Sequence, residues 1–178
     1  GNPDAGQPIG NGRMGTLVWT SPNAIHLQIN RVDVFPVNRD HIGQRGGATD
    51  YCGGIARVMI GIGGQAFAPS ENQFQQRLSL ESAECTIKGA GVQVRTFVSA
   101  RSDVLVMEID DQRPAPEAVK ITVSMLRSPE VVAGDHVATT NFADDRERIA
   151  LLQRFRERDY DRSEEHTSEL QSHSFISY

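Results

Sequence analysis

The chain contains short runs of alternating or β-branched apolar residues, separated by clusters of Gly, Pro, Asn, Asp and Ser. Within 92–99 the alternation has a period of two, which places Val94, Thr96 and Val98 on one face of an extended strand. Runs of this kind predict eight strands, at 16–20, 24–30, 58–62, 74–80, 85–88, 92–99, 104–109 and 119–126. Many short strands with turn residues between them predict an all-β fold, an antiparallel β-sandwich.

Turn residues favour antiparallel pairing of consecutive strands in the middle of the chain. Gly89-Ala90-Gly91 predicts a hairpin turn between the strands at 85–88 and 92–99. Ser102-Asp103 then returns the chain into the strand at 104–109. Such a meander is typical of sandwich folds.

The segment 144–161 permits two interpretations. Its charged residues and Leu151-Leu152 suit an amphipathic helix with an acidic N-cap. In an extended conformation the segment places Ile149, Leu151 and Phe155 on one side, with Gln153 interrupting the row. Because the runs before it are all of the strand type, we predict a strand here.

The stretch Gly10-Asn11-Gly12-Arg13-Met14-Gly15 matches the spacing of the dinucleotide-binding fingerprint. That fingerprint needs a strand before the glycines and a helix after them, since the pyrophosphate binds at the helix N-terminus. Residues 1–8 are too rich in turn formers for a buried strand, and 16–20 predicts a strand in place of the helix. We therefore expect no dinucleotide cofactor and interpret the motif as a turn that opens a β-domain.

Charge and composition exclude several classes of function. With 18 Lys and Arg against 23 Asp and Glu, the 178 residues carry a net charge of −5 without a basic cluster, so no nucleic-acid partner is expected. No apolar run approaches the ~20 residues of a membrane-spanning helix, so no membrane partner is expected either. Cys52 and Cys85 have no zinc-ligand spacing, and two buried free thiols are favoured over one disulfide. Neither a metal nor any other cofactor is predicted.

The last part of the sequence has a different origin in our interpretation. Residues 162–172 have no hydrophobic period and equal the codon-by-codon translation of a common DNA-sequencing adapter, and 176–178 match its continuation. We therefore exclude 162–178 from the fold prediction as an artificial tail. Residues 1–161 are predicted to form one N-terminal β-sandwich domain. We expect this domain to be incomplete, because the natural chain is interrupted near Asp161 and begins here at a glycine.

Several motifs together resemble known protein families. Residues 8–15, the strand that follows them and 27–30 resemble the opening of glycoside hydrolase family 95, the α-L-fucosidases and α-L-galactosidases. The details are more similar to the bacterial domain of unknown function 5703, found at the N-terminus of predicted glycoside hydrolases. The similarity extends over nearly all of 1–161, and the segments that carry it are 1–3, 28–35, 49–54 and 153–160.

The resemblance implies a large, supersandwich-like β-domain, truncated here, that is a non-catalytic part of a bacterial carbohydrate-active enzyme. The catalytic groups of family 95 lie in a helical (α/α)6 barrel farther along the chain, so no catalytic residue is assigned to this sequence. The implied partners are that downstream domain and a carbohydrate, and the implied location is secreted or periplasmic. The alternatives are a free-standing carbohydrate-binding module and a purely structural sandwich. A binding module usually presents several exposed aromatics, and this chain has one Trp and three Tyr.

Six residues are candidates for contact with a substrate or a neighbouring domain: Asn11, Arg13, Asn30, Asp33, Asp50 and Tyr51. Asn11 and Arg13 lie among glycines, which allow the backbone to approach another surface closely. Asp33 and Asp50 lie in the long loop 31–56, and loops of this length are often functional. The structural alternatives are a salt bridge for Arg13 and a left-handed turn conformation for Asn11.

Other conspicuous residues have ordinary structural interpretations. An inverting glycosidase needs two carboxyl groups about 6.5–9.5 Å apart. Asp110 and Asp111 are adjacent, so on a strand they point to opposite faces and are interpreted as turn formers. Trp19 is predicted to lie in the core and His26 to be a partly buried structural residue. His26, His41 and His136 share no ligand spacing.

Overall fold

The computed structural model describes residues 6–32, 54–69, 74–125, 131–133, 136–144, 148–157 and 171–177. Within these residues the regular structure is all strand, and the strand pairs are antiparallel, so the fold class is all-β as the period-two runs predict. The described part of the chain contains no helix that is long and apolar enough to span a membrane. The chain divides into two units, Gly1–Asp33 with Gly54–Ser124 and Val34–Gly53 with Met125–Tyr178.

The first unit contains two antiparallel sheets. Its strands are β1 (Gln7–Gly10), β2 (Met14–Ser21), β3 (Ala24–Arg31), β4 (Gly54–Gly61), β5 (Gln75–Ser79), β6 (Glu84–Gly89), β7 (Val92–Val98), β8 (Leu105–Asp111) and β9 (Lys120–Ser124). Sheet A has the order β1-β2-β3-β4-β9, and sheet B has the order β5-β6-β7-β8. Consecutive strands are neighbours almost throughout, as the predicted meander requires.

The two sheets form a β-sandwich with one apolar core. In sheet A, Val18 pairs with Leu27, and both side chains are buried. In sheet B, Ile87 pairs with Val94, and both are fully buried. Gln76 of β5 donates from Nε2 to the main-chain oxygen of Val18 at 2.8 Å. This bond joins the two sheets and satisfies a polar side chain beside the core.

The turn between β6 and β7 approaches the segment after β4 very closely. Ala90 N donates to the main-chain oxygen of Ala66 at 2.9 Å. A Cβ atom at Gly89 would overlap that same oxygen and come within 2.8 Å of Phe67 Cδ1, so only glycine fits there. Gly91 has a positive φ of 76°, as expected for the predicted hairpin turn.

The second unit contains a four-stranded antiparallel sheet in its described part. Its strands, in sheet order, are β10 (Val131–Ala133), β11 (His136–Asp144), β12 (Arg148–Glu157) and β13 (Gln171–Ser177). β12 confirms the strand predicted within 144–161, and its Leu151 is buried. β13 lies within the segment 162–178, whose artificial origin stays a prediction.

The structure departs from the predicted strands in three places. β1 contradicts the expectation that turn formers exclude a strand before the glycines: Ile9 is buried, and Pro8 lies in an edge strand, where a missing N–H interrupts no ladder. β4 begins at Gly54, four residues before the predicted start. β10 and β11 were not predicted, because their sequences combine Val and Phe with polar residues that give no clear alternation.

Candidate functional site

Three of the six candidate residues lie in the described part of the chain. Asn11 and Arg13 form the turn between β1 and β2, and Asn30 is the penultimate residue of β3. The predictions for the other three candidates fall outside the described residues: Asp33, Asp50 and Tyr51.

The side chain of Asn11 joins the β1–β2 turn to the loop between β7 and β8. Its Nδ2 donates to the main-chain oxygens of Ser99 at 3.0 Å and Ser102 at 3.1 Å. Its Oδ1 accepts from the main-chain N–H groups of Arg13 at 2.9 Å and Met14 at 2.8 Å. An asparagine side chain offers two N–H donors and one carbonyl oxygen. The hydrogen-bonding groups of Asn11 are therefore engaged within the sandwich itself.

Asp103 lies between two arginines beside Asn11. Its Oδ2 is 3.5 Å from Arg13 Nη2 and 3.3 Å from Arg31 Nη2, and its Oδ1 is 3.4 Å from Asn11 Nδ2. Arg13 thus forms the salt bridge given above as its structural alternative. Because 68% of the Arg13 side chain is exposed, this pair contributes little to stability and leaves most of the guanidinium open to other contacts.

The left-handed residue of the β1–β2 turn is Gly12, with a φ of 89°. Ala83 is the one non-glycine residue with positive φ in the described part of the chain. The left-handed conformation considered for Asn11 is therefore wrong. Glycine supplies the backbone conformation because it has no Cβ, and Asn11 supplies the hydrogen bonds.

Asn30 lies in a cross-strand row of glycines. Gly10 pairs with Gly15, Gly15 pairs with Asn30, and Asn30 pairs with Gly54. The register shifts between Ile29 and Asn30, which indicates a β-bulge. Asn30 Oδ1 is buried and forms no hydrogen bond with any described residue. Asn30 therefore stays a candidate for contact with a substrate or a neighbouring domain. It differs from Asn11, whose side chain is hydrogen-bonded within the sandwich.

The rings of Trp19 and His26 stack on neighbouring strands of sheet A. Their ring centroids are 5.4 Å apart with an interplanar angle of 12°, and Trp19 is buried. His26 Nε2 lies 2.9 Å from Ser21 Oγ. Burial lowers the pKa of His26 below its ordinary value, because the charged form loses solvation. The predictions of a buried Trp19 and a partly buried structural His26 are confirmed.

Arg113 has a structural role that the sequence did not reveal. Its Nη1 donates to the main-chain oxygen of Gly63 at 3.0 Å, and its Nη2 to that of Ile62 at 2.5 Å. Its Nε and Nη2 also contact the two carboxylate oxygens of Asp111 at 2.8 and 2.6 Å. A bidentate contact of this kind is the strongest arginine–carboxylate geometry. Arg113 therefore joins the end of sheet B to the segment that follows β4.

Asp110 and Asp111 end β8, and both bond to the residues that follow it. Asp110 accepts from Gln112 Nε2 at 2.8 Å, and Asp111 accepts from the main-chain N–H of Arg113 at 3.1 Å. The Arg113 guanidinium lowers the pKa of Asp111. These bonds support the interpretation of the two aspartates as turn formers.

A second ion-paired group lies on the exposed face of sheet B. Arg95 lies between Glu84 and Glu108, and its guanidinium carbon is 5.0 Å from the centre of the Phe97 ring. Arg95 lowers the pKa of Glu84, and the two carboxylates raise the pKa of Arg95. One arginine thus pairs with two carboxylates on a solvated face.

The described residues place no three His, Cys, Asp or Glu side chains where they would hold a metal ion. Cys85 is a buried free thiol, as predicted, and burial raises its pKa. Cys52 lies outside the described residues. The chemistry of the described side chains is thus dominated by hydrogen bonds and ion pairs within the sandwich.

Comparison with known proteins identifies a family. None of the curated proteins matches the chain. The model of a family described as a domain of unknown function (DUF5703) matches residues 2–150, a range that contains β1 to β11. Because this match covers most of the sequence, the chain belongs to the DUF5703 family.

Proposed function

We propose that this β-sandwich is a non-catalytic N-terminal domain of a bacterial glycoside hydrolase-like enzyme and that it supports a downstream catalytic domain. The resemblance of residues 8–15 and 27–30 to glycoside hydrolase family 95 supports the enzyme class. The observation that carries the non-catalytic role is the bonding of Asn11. This residue is the polar centre of the glycine motif, and its donors and acceptor are bonded to the sandwich itself.

The ion-paired carboxylates of the described sandwich also have the wrong chemistry for a glycosidase acid. Such an acid must be protonated near neutral pH, which requires a raised pKa. The pKa of Asp111 is lowered by Arg113, and that of Glu84 is lowered by Arg95. Asp103 is ion-paired to two arginines. Asp111 and Glu84 are thus held in the ionised form, which is the opposite of what a glycosidase acid needs.

A free-standing carbohydrate-binding module is the second candidate function. Modules of this type bind sugars mainly by stacking them on exposed aromatic rings. The single tryptophan, Trp19, is buried against His26, so its ring is not presented to a ligand. This observation ranks the binding module below the supporting domain.

The experiment compares this chain with the complete protein that its gene encodes. The gene is recovered from its genomic locus, and both proteins are assayed for hydrolysis of α-L-fucosides and α-L-galactosides and for glycan binding by calorimetry. We expect the complete protein to contain a helical-repeat domain with paired carboxylates and to hydrolyse a glycoside. We expect this chain alone to give no turnover.

Two results would decide against the proposal. Hydrolysis by this chain that is abolished by Asp33→Asn or Asp50→Asn would place catalysis within this chain. A gene that ends soon after Asp161, together with glycan binding by the chain, would identify a free-standing binding module. The variant Asp110→Asn is the control in the first case, because Asp110 bonds only to a neighbouring turn residue among the described contacts.

A further inference from the structure

We infer that β8 is the contact strand of a homodimer, in which two copies of this chain pair β8 with β8 and join their B sheets into one antiparallel sheet. β8 lies at the edge of sheet B, and among the described strands it pairs with β7 alone. An edge strand exposes a row of main-chain N–H and C=O groups, to which a further strand can bind. This inference goes beyond the proposed function and does not depend on it.

The hydrogen bonds at the two ends of β8 show which of its main-chain groups face the free edge. Ser99 N donates to the main-chain oxygen of Val104 at 2.8 Å, and Gln112 N donates to that of Gly91 at 2.9 Å. Because an antiparallel ladder alternates, the even-numbered residues of β8 direct their main-chain groups to β7. The odd-numbered residues direct theirs to the free edge, and three of them lie within the apolar part of the strand: Leu105, Met107 and Ile109.

The side chains of the same three residues face the core, and they are only half-buried. Their partners on β7 point to the same face and are almost completely buried, with exposed fractions of 0% for Val94, 0% for Thr96 and 7% for Val98. A further strand beside β8 extends the sheet over this edge and covers the half-buried side chains. The free edge of β8 thus offers hydrogen-bonding groups and apolar surface at the same residues.

The other edge strands of the two sheets have features that prevent pairing with another chain. β1 has four residues and contains Pro8, and β5 and β9 have five residues each, the first of β9 being Lys120. Short edge strands, prolines and lysines are devices by which proteins protect sheet edges. β8 has seven residues without Pro, Gly or Lys, and it pairs with β7 without a register shift. Its mid-strand charge, Glu108, is ion-paired with Arg95 of β7.

The sequence of β8 is self-complementary in one antiparallel register. With Met107 on the two-fold axis, Leu105 of each copy lies opposite Ile109 of the other, and Val106 lies opposite Glu108 of the other. The edge-facing residues then form hydrogen-bonded pairs across the axis, the core-facing row is apolar, and no two charges of β8 face each other. With Glu108 on the axis, two carboxylates would face each other, and with Val106 on the axis, Ile109 would have no partner in β8. A second copy of this chain is therefore the occupant that fits the edge.

The test measures disulfide crosslinking between copies of the full chain. Met107→Cys, Leu105→Cys and Ile109→Cys are each introduced with Cys52 changed to Ser, and the oxidised dimer is quantified on non-reducing gels. Cys85 is buried and stays in every variant. On the axis, the Cα atoms of the two residues 107 are about 5.5 Å apart, which a disulfide can span. The two residues 105 are about 14 Å apart, as are the two residues 109, and a disulfide cannot span that distance.

We expect Met107→Cys to give at least about tenfold more crosslinked dimer than Leu105→Cys or Ile109→Cys alone. The double variant Leu105→Cys/Ile109→Cys should crosslink as efficiently as Met107→Cys, because these two positions face each other across the axis. Similar crosslinking in all three single variants would show random collision between chains and would overturn the inference. A chain that stays monomeric by light scattering at high protein concentration would overturn it as well.

A second pair of variants leaves the core unchanged, because Val106 lies on the exposed face of sheet B beside Phe97. Val106→Lys places a cation opposite Glu108 of the other copy, and Val106→Glu places a like charge there. We expect the dissociation constant of the dimer, measured by analytical ultracentrifugation, to be at least about tenfold larger for Val106→Glu than for Val106→Lys. Equal dissociation constants would show that β8 does not pair in this register.

Discussion

The two ends of the sandwich are joined by polar side chains that differ in kind. One end, here called the loop end, consists of the β1–β2 turn (11–13), 31–32, the β5–β6 turn (80–83) and the β7–β8 loop (99–104). There the neutral amide of Asn11 connects the β1–β2 turn of sheet A to the β7–β8 loop of sheet B, beside the exposed ion pairs of Asp103. The opposite end, here called the hairpin end, consists of the β2–β3 turn (22–23), 62–69, the β6–β7 turn (90–91) and 112–117. There the guanidinium of Arg113 connects the end of β8 to the segment after β4.

The difference lies in what supports each side chain. At the hairpin end, a main-chain bond from Ala90 to Ala66 also connects the two sheets. The main-chain bonds of the loop end, such as those from Val32 to Arg13 and from Ser99 to Val104, stay within one sheet. The loop end therefore depends more strongly on side-chain contacts, those of Asn11 and the exposed ion pairs of Asp103. The hairpin end depends on an ion pair, so its stability changes with pH.

The largest effect is expected for Asn11→Ala. The change removes the bonds to two main-chain oxygens and two main-chain N–H groups, and partly buried groups without partners are costly. We expect the free energy of unfolding to fall by about 3 kcal/mol, measured by urea denaturation. The matched control is Asn23→Ala in the exposed turn of the hairpin end, where the side chain accepts one long bond from Ser21. That variant should change stability by less than about 0.5 kcal/mol.

The variant Asn11→Asp separates the two halves of this interaction. A carboxylate retains the acceptor for Arg13 N and Met14 N, but it places negative charge against the main-chain oxygens of Ser99 and Ser102. It should therefore destabilise the protein about as much as alanine does. Similar small effects of Asn11→Ala and Asn23→Ala would show that the two ends do not differ as described.

The second effect is expected for Arg113→Met, which retains the length of the side chain but loses its bonds. We expect a loss of about 2 kcal/mol at pH 7, since two main-chain oxygens lose a donor while the bond from Ala90 to Ala66 remains. The control is Arg95→Met on the exposed face of sheet B, where the ion pairs are solvated and their loss should have no measurable effect.

The cost of Arg113→Met should depend on pH. The folded-state pKa of Asp111 is lowered, so its ion pair stabilises the fold above the ordinary aspartate pKa of about 3.9. That contribution is lost as the pH falls through the lowered folded-state value. The difference between wild type and Arg113→Met should therefore shrink between pH 5 and pH 3, whereas the cost of Asn11→Ala should stay constant. If the cost of Arg113→Met does not change with pH, the ion pair with Asp111 adds no stability beyond that of the main-chain bonds of Arg113.

The sequence predicts the strands of the first unit well because their faces differ in polarity. β7 has a period-two burial pattern, and its bounds agree with the predicted run to within one residue. β1 was not predicted, because Pro8 and the surrounding glycines are read locally as turn formers. As an edge strand, β1 pairs with β2 on one side only. Its formation therefore depends on contact with β2, and local sequence patterns do not show that contact.

The candidate site illustrates the same limit. Asn11 was found through the glycine motif, but its partners lie about ninety residues farther along the chain, and no local pattern indicates them. Arg113 has no motif at all, since Asp111-Gln112-Arg113 is an ordinary charged turn until the fold brings Ile62 and Gly63 beside it. Local propensity determines which residues form turns, and the packing of the two sheets determines which turns meet.

The smallest effect is expected for His26→Gln. This variant tests whether His26, in addition to Asp111, makes the stability of the fold depend on pH. Glutamine retains a donor for Ser21 but loses the stacking on Trp19. Burial lowers the folded-state pKa of His26, so the neutral imidazole stabilises the fold above about pH 6.5, and this contribution is lost as the pH falls through the folded-state value. The cost of His26→Gln should therefore decrease from pH 7.5 to pH 5, by less than about 1 kcal/mol because His26 is only partly buried. An NMR titration that gives His26 a pKa of 6.5 or above would contradict this and would confine the pH dependence to Asp111.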